Sequence, residues 1–140
     1  MNWNERTILL LGEEKTEVLR RSNVLVVGLG GVGAYAAEMI CRAGIGKMTI
    51  ADADKVSPSN INRQLVALNS TIGQNKGDVL AARLKDINPG LEFTVVNEYI
   101  RDEKTWELLD SDKFDYVVDA IDTLSPKANL IKGALERNIK

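Results

Sequence analysis

The sequence predicts an α/β fold, a doubly wound, Rossmann-like and mostly parallel sheet. Short runs of β-branched residues alternate with helical segments along the whole chain. The first run, residues 24–27, leads directly into a glycine-rich turn with the sequence GLGGVG at residues 28–33. An acidic residue, Asp52, follows the second run. Because crossovers between parallel strands are right-handed, we expect helices on both faces of this sheet.

The first half of the chain is predicted to hold two helices and two strands. Residues 13–21 have a helical composition, and residues 24–27 form a buried strand. Residues 32–43 place small and apolar side chains around most of a helix, which predicts a largely buried helix ended by the segment 44–46. Residues 48–51 form the second strand.

The second half repeats the alternation. The predicted elements are a helix at 75–87, a strand at 92–96, a short helix at 103–109, a strand at 116–120, and a helix with Pro126 near its first turn that reaches about Arg137. The expected strand order is 3-2-1-4, which opens a crevice at the carboxyl ends of strands one and four. A further crossover strand would be expected after this point. We therefore expect residues 1–140 to be a single domain, truncated after the helix that follows strand four, and the amino-terminal part of a longer protein.

Composition narrows the function classes. The 140 residues carry a formal net charge of −2, so nucleic-acid binding would need a local basic patch. The single cysteine, Cys41, excludes an internal disulfide and a cysteine-rich metal site, and its apolar helix predicts a buried, unreactive thiol. No apolar run approaches the roughly 20 residues that span a bilayer, which favours a soluble, cytoplasmic setting without a membrane. The chain has no histidine, so any catalysis should depend on positioning and charge stabilisation.

The glycine-rich turn is predicted to bind phosphates. Gly28 permits the tight turn, and Gly33 lets the helix pack closely on the strand. Gly30 and Gly31 let backbone amides approach phosphate oxygens at the helix amino end, and a side chain at Gly31 would project toward them. The glycine spacing alone is a weak signal, but its position between a buried strand and a helix is the context that the motif requires. The alternative is a tight turn without a ligand.

Polar side chains follow the second strand. Asp52 stands where this kind of fold places an acid that binds ribose hydroxyls; the alternative is a loop cap. Asp54 is either a direct ligand or part of a supporting hydrogen-bond network. Ser59, Asn60 and Arg63 lie in one turn-like segment and are expected to face one ligand, with the planar Arg63 cation on phosphate oxygens. A surface loop with a solvated arginine is the alternative.

Two further charged residues complete the predicted site. Lys76 begins a helix whose amino end attracts anions, and its ammonium can reach a phosphate; otherwise it is a solvated first-turn lysine. Asp122 lies just beyond the fourth strand and is the predicted Mg²⁺ ligand, with a helix cap as the alternative. Asp119 is expected to be a structural hydrogen-bond acceptor or to lie at the ligand's edge. Together the motifs favour ATP over NAD.

At these residues the chain resembles the adenylating superfamily of ubiquitin-activating enzymes and their bacterial relatives in molybdopterin and thiamine biosynthesis. The likeness spans nearly the whole chain. It rests on GLGGVG at 28–33, DAD at 52–54 followed by SNINRQ at 59–64, IG at 72–73 leading to Lys76, and DAID at 119–122. Within the superfamily, NRQLVAL at 62–68 and DTLSPK at 122–127 look most similar to the tRNA threonylcarbamoyladenosine dehydratase branch.

This resemblance implies ATP-dependent adenylation of a carboxylate. The residues that it implies as contacts of ATP or its magnesium are Gly31, Asp52, Ser59, Asn60, Arg63, Lys76 and Asp122. It also implies a homodimer in which Arg6 is donated to the active site of the neighbouring protomer.

The resemblance leaves the acceptor open. The dehydratase branch implies activation of the threonylcarbamoyl carboxylate on a tRNA adenosine, followed by ring closure. The alternative is an adenylyltransferase that activates the terminal glycine of a ubiquitin-like or sulfur-carrier protein, with a sulfur-relay partner. A nucleotide domain that only binds, or an NAD-linked enzyme, is the third hypothesis.

Overall fold

A computed structural model describes residues 2–140, which form one four-stranded sheet with helices around it. The strands are β1 (Asn23–Val27), β2 (Lys47–Ala51), β3 (Glu92–Val96) and β4 (Tyr116–Asp119). The helices are α1 (Glu5–Leu11), α2 (Glu13–Arg21), α3 (Gly33–Ala43), α4 (Lys76–Ile87), α5 (Glu103–Asp110) and α6 (Leu124–Glu136).

The sheet has the order β3-β2-β1-β4, and every neighbouring pair is parallel. The predicted fold class and strand order are therefore confirmed. In the centre of the sheet Val26 pairs with Ile50 on one side and with Val118 on the other. All five residues of β1 are buried, as expected of a central parallel strand covered on both faces.

The two faces of the sheet have separate cores. Because side chains alternate along a strand, Val24 and Val26 of β1 point to one face, where they belong to a cluster completed by α3 and α4. Leu25 and Val27 point to the other face and belong to a cluster with α5 and α6. This distribution is the doubly wound arrangement, and it leaves the carboxyl ends of all four strands at one edge.

Two glycines fix the turn that follows β1. Gly28 has φ +93°, and a Cβ there would lie 2.5 Å from the backbone oxygen of Ala120. A Cβ on Gly33 would lie 1.6 Å from the backbone oxygen of Gly28. The tight turn and close packing that the sequence predicts at these two positions are therefore present. They hold the turn against Ala120, which directly follows β4.

The structure differs from the sequence-based expectation in two helices. The sequence analysis missed α1, whose leucine run lacks a helical period and leaves Leu9 and Leu10 exposed. The expectation of a largely buried α3 is wrong for Tyr35 and Met39, which are exposed. One sheet face covers one side of a helix, so the opposite side of α3 stays on the surface. None of the helices among residues 2–140 is long and apolar enough to cross a membrane.

Cys41 lies on α3 and belongs to the core cluster on that face of the sheet, so its predicted burial is confirmed. Its side chain is fully buried, its Sγ donates a weak hydrogen bond to the Leu84 carbonyl at 3.6 Å, and burial raises the pKa of the thiol to about 11. At pH 8 only about one thiol in a thousand would then be the reactive thiolate. We expect iodoacetamide to leave the folded protein unmodified at pH 8 and to alkylate it in urea, as measured by intact mass. Equal rates in both states would contradict this placement.

Candidate functional site

The loops that follow all four strands surround one cavity of about 520 Å³. This volume lies in the range of roughly 300–1,000 Å³ typical of small-ligand sites. The predicted site residues that line it are Gly28, Gly30, Asp52, Asp54, Asn60, Arg63, Lys76 and Asp122. A larger cavity, about 770 Å³, lies where β4 begins, near Tyr116, and none of the predicted site residues lines it. The predicted site residues that line a cavity therefore all line the smaller one.

Four predicted residues lie outside the cavity lining. Gly33 serves the packing described above, and Arg6 is exposed on α1 and does not line the cavity of its own chain. A Cβ added at Gly31 would make an ordinary contact with Cγ of Arg63, at 3.6 Å. The Ser59 hydroxyl lies 3.0 Å from that of Ser57. The ligand roles of Gly31, Ser59 and Arg6 remain predictions.

Asp52 joins two of the loops that surround the cavity. Its Oδ2 accepts a hydrogen bond from the backbone N–H of Leu29 at 2.7 Å, and its Oδ1 accepts one from the N–H of Asp54 at 2.7 Å. The carboxylate thus ties the glycine-rich turn after β1 to the end of β2. A carboxylate has about four lone-pair sites, so it retains capacity for ribose hydroxyls, and that role stays a prediction.

Lys76 is a buried cation at the start of α4. The residue is 4% exposed, so the solvated-lysine alternative does not hold in this structure. Its backbone N–H donates to the Asp54 carbonyl at 3.0 Å, and its Nζ lies 3.4 Å from Asp54 Oδ2. One long contact to a half-exposed carboxylate is weak compensation for burying an ammonium group. An anion in the cavity would supply the missing compensation.

Arg63 lies exposed at the cavity and is oriented by its own loop. Its Nη1 donates to the Ser59 carbonyl at 3.0 Å and to Oδ1 of Asn62 at 2.8 Å. The buried Asn60 supports this loop, because its Oδ1 accepts the Ser57 N–H at 3.0 Å. The remaining guanidinium donors are available to a phosphate, for which the planar group is well suited.

The two aspartates after β4 have different environments. Asp119 Oδ1 accepts the Ile121 N–H at 3.1 Å, and its Oδ2 accepts from Nζ of Lys127 at 2.6 Å, so it acts as a structural acceptor. Asp122 is exposed and lines the cavity. Residues 2–140 contain no group of three or more acidic, cysteine or histidine side chains that could hold a metal. Mg²⁺ commonly takes one or two carboxylates together with substrate phosphates, and the role of Asp122 as its ligand stays a prediction.

The structure adds residues that the sequence analysis did not assign. Gln64 lines the cavity at 8% exposure, and its Oε1 has no hydrogen-bond partner among residues 2–140. Its Nε2 lies 3.6 Å from the position of a Cβ on Gly30. The sequence motif around Arg63 also contains Gln64, and this position in the motif was the signal from which Gln64 could have been assigned to the site. The segment 98–101 after β3 also lines the cavity, and only the rule that ligands bind at strand carboxyl ends pointed to it.

The profile of the ThiF family matches residues 4–140. The chain belongs to the ThiF family. This ThiF-family chain is 44% identical over 134 residues to the tRNA threonylcarbamoyladenosine dehydratase of Bacillus subtilis, covering 96% of the chain and 52% of the relative. It is 35% identical over 136 residues to the molybdopterin-synthase adenylyltransferase of Escherichia coli, covering 96% and 54%. The predicted superfamily is confirmed.

The ThiF-family fold also matches solved structures. The E. coli tRNA N6-threonylcarbamoyladenosine dehydratase, solved in complex with ATP, has a TM-score of 0.92 and 38% identity, and the match covers 98% of this chain and 57% of that one. The same enzyme in complex with AMP gives a TM-score of 0.93. The chain thus spans about half the length of these relatives.

Proposed function

We propose that this chain is the ATP-binding part of an enzyme that adenylates a carboxylate, and that the carboxylate is the threonylcarbamoyl group of a modified tRNA adenosine. The observation that carries the proposal is the shared cavity, in which the glycine-rich turn, Arg63, Asp122 and the undercompensated cation of Lys76 come together. Support comes from the ATP-bound structure of a relative with 38% identity.

The chemistry needs what this cavity contains. An oxygen of the substrate carboxylate attacks the α-phosphorus, the bond to the leaving pyrophosphate breaks, and negative charge grows on the leaving group. In this proposal Lys76 and Arg63 offset that charge, and Asp122 holds the Mg²⁺ that accompanies the nucleotide. Asp52 and the glycine-rich turn position ribose and phosphates. No proton acceptor is required in this adenylation step, because the attacking carboxylate is already ionised.

The proposal also covers the step after adenylation, the oligomeric state and the alternative acceptor. In the next step an oxygen or nitrogen of the carbamoyl group would attack the acyl carbon of the acyl-adenylate, the acyl C–O bond to AMP would break, and the N–H proton released on ring closure would pass to solvent. We further propose a cytoplasmic homodimer in which Arg6 of one protomer reaches the other protomer's cavity as an additional cation. Activation of a carrier protein's terminal glycine is the second candidate, supported by the 35% identity to a molybdopterin-synthase adenylyltransferase.

Exchange of labelled pyrophosphate into ATP tests the proposal and separates the two acceptors. We expect exchange to need Mg²⁺ and to be stimulated by tRNA that carries threonylcarbamoyladenosine, but not by the same tRNA without the modification. Stimulation by a carrier protein that ends in glycine would instead support the second candidate. A parallel titration with Mg-ATP and with NAD tests the cavity itself, and a preference for NAD would refute both.

A further inference from the structure

The segment between β3 and α5 presents an aromatic ring and a guanidinium group to solvent. Ile100 packs against the core cluster on the sheet face that α5 and α6 cover, whereas its neighbours Tyr99 and Arg101 are exposed. The guanidinium of Arg101 lies 5.9 Å from the centroid of the Tyr99 ring, within the range of a cation–π contact. Tyr99 is 68% exposed although a tyrosine ring is largely apolar. The pair is therefore a preformed polar and aromatic surface.

This pair lies at the cavity that we assign to ATP. The segment 98–101 contributes to the lining together with Lys76 and Asp122, so Tyr99 stands at the boundary between cavity and solvent. The next residue, Asp102, has φ +52° and ψ −132°, a combination that non-glycine residues rarely adopt. This backbone conformation forms the entry to α5, which fixes the direction of the segment.

We propose that Tyr99 and Arg101 form a stacking site for a base of single-stranded RNA at the mouth of the cavity. This inference rests on the proposed function, in which an RNA-linked carboxylate has to reach the α-phosphate in this cavity. Unpaired RNA bases are recognised by stacking on aromatic rings and on arginine guanidinium planes.

The surrounding charges favour local base stacking over attraction of RNA to an extended basic surface. The chain is acidic overall, so its RNA affinity has to come from local contacts. Glu98, on the same segment, is paired with Lys104 at 3.0 Å, which reduces its repulsion of a phosphate backbone. The glycine tail of a carrier protein has no ring that could stack on Tyr99.

Fluorescence anisotropy with a labelled RNA stem-loop, whose loop holds one adenosine, tests this site at saturating Mg-ATP. We expect Tyr99→Ala to weaken RNA binding about tenfold and Tyr99→Phe to retain it, because the phenyl ring still stacks. Arg101→Ala should also weaken RNA binding. The matched control is Lys140→Ala, which removes the cation 5.9 Å from the ring of Tyr116 in the other cavity and should leave RNA binding unchanged. In Tyr99→Ala and Arg101→Ala, RNA affinity should fall by a clearly larger factor than ATP affinity, and Lys140→Ala should leave both affinities unchanged.

Three outcomes would overturn the stacking site. They are absence of RNA binding by the unaltered protein, equal RNA affinity of Tyr99→Ala and the unaltered protein, and a parallel loss of ATP affinity in Tyr99→Ala. The last would mean that the ring covers the bound nucleotide. Each leaves ATP binding by the unaltered protein intact, whereas failure of the proposed function would appear as absence of ATP binding in the same titrations.

Discussion

Arg63→Ala is expected to slow ATP–pyrophosphate exchange about a hundredfold while the fold stays intact. Removal of one preorganised charge donor from a phosphoryl-transfer site typically costs roughly 3 kcal/mol of transition-state stabilisation. The only hydrogen bonds that its Nη1 makes within residues 2–140 are to Ser59 and Asn62 in the same loop. The free energy of unfolding, measured in urea, should therefore change by only about 0.5 kcal/mol.

Two further variants sharpen this test. Arg21→Ala removes an arginine whose side chain is 78% exposed on α2, outside the cavity, and should leave the exchange rate unchanged. Arg63→Lys keeps the charge but loses the planar pair of donors, so an intermediate rate is expected. An Arg63→Ala protein with an unchanged exchange rate would remove this residue from the proposed mechanism.

The sequence was sufficient to predict the framework of the fold. Strand β1 is a continuous apolar run, and such a run followed by a glycine-rich turn allows few other folds. The strand order also followed from topology, because crossover rules leave few arrangements of alternating strands and helices. By contrast, α1 has no periodic pattern and buries none of its residues, so no local signal identified it.

Within the candidate site, sequence motifs predicted which residues converge but not how deeply each is buried. Lys76 illustrates this limit, because a lysine in a first helical turn is usually solvated and only tertiary packing makes it 4% exposed. Gln64 shows the same limit, since only the folded structure reveals that its Oε1 is buried without a hydrogen-bond partner among residues 2–140. Tyr99 and Arg101 belong to no recognisable sequence motif. The cation–π contact between them depends on a loop conformation that no sequence pattern predicts.

Gly33→Ala is expected to destabilise the protein by at least about 3 kcal/mol. The new Cβ would lie 1.6 Å from the Gly28 backbone oxygen and 3.0 Å from the Ala120 Cβ, so α3 has to move away from β1 and β4. Overpacking against backbone costs more than overpacking against a flexible side chain, because the backbone is held by the sheet. Total stabilities are only about 5–15 kcal/mol, so urea unfolding should show a large shift of the midpoint.

Gly30→Ala in the same turn separates packing from ligand binding. Its Cβ would meet only the Gln64 amide, at 3.6 Å, which is an ordinary contact with a side chain that can rotate. We expect unchanged stability but weaker ATP binding, because the methyl group takes up space in the cavity that Gly30 lines. Equal destabilisation by Gly33→Ala and Gly30→Ala would contradict the distinction between a glycine required by helix packing and one required by a ligand. Unaltered ATP affinity of Gly30→Ala would indicate that phosphates do not approach this part of the turn.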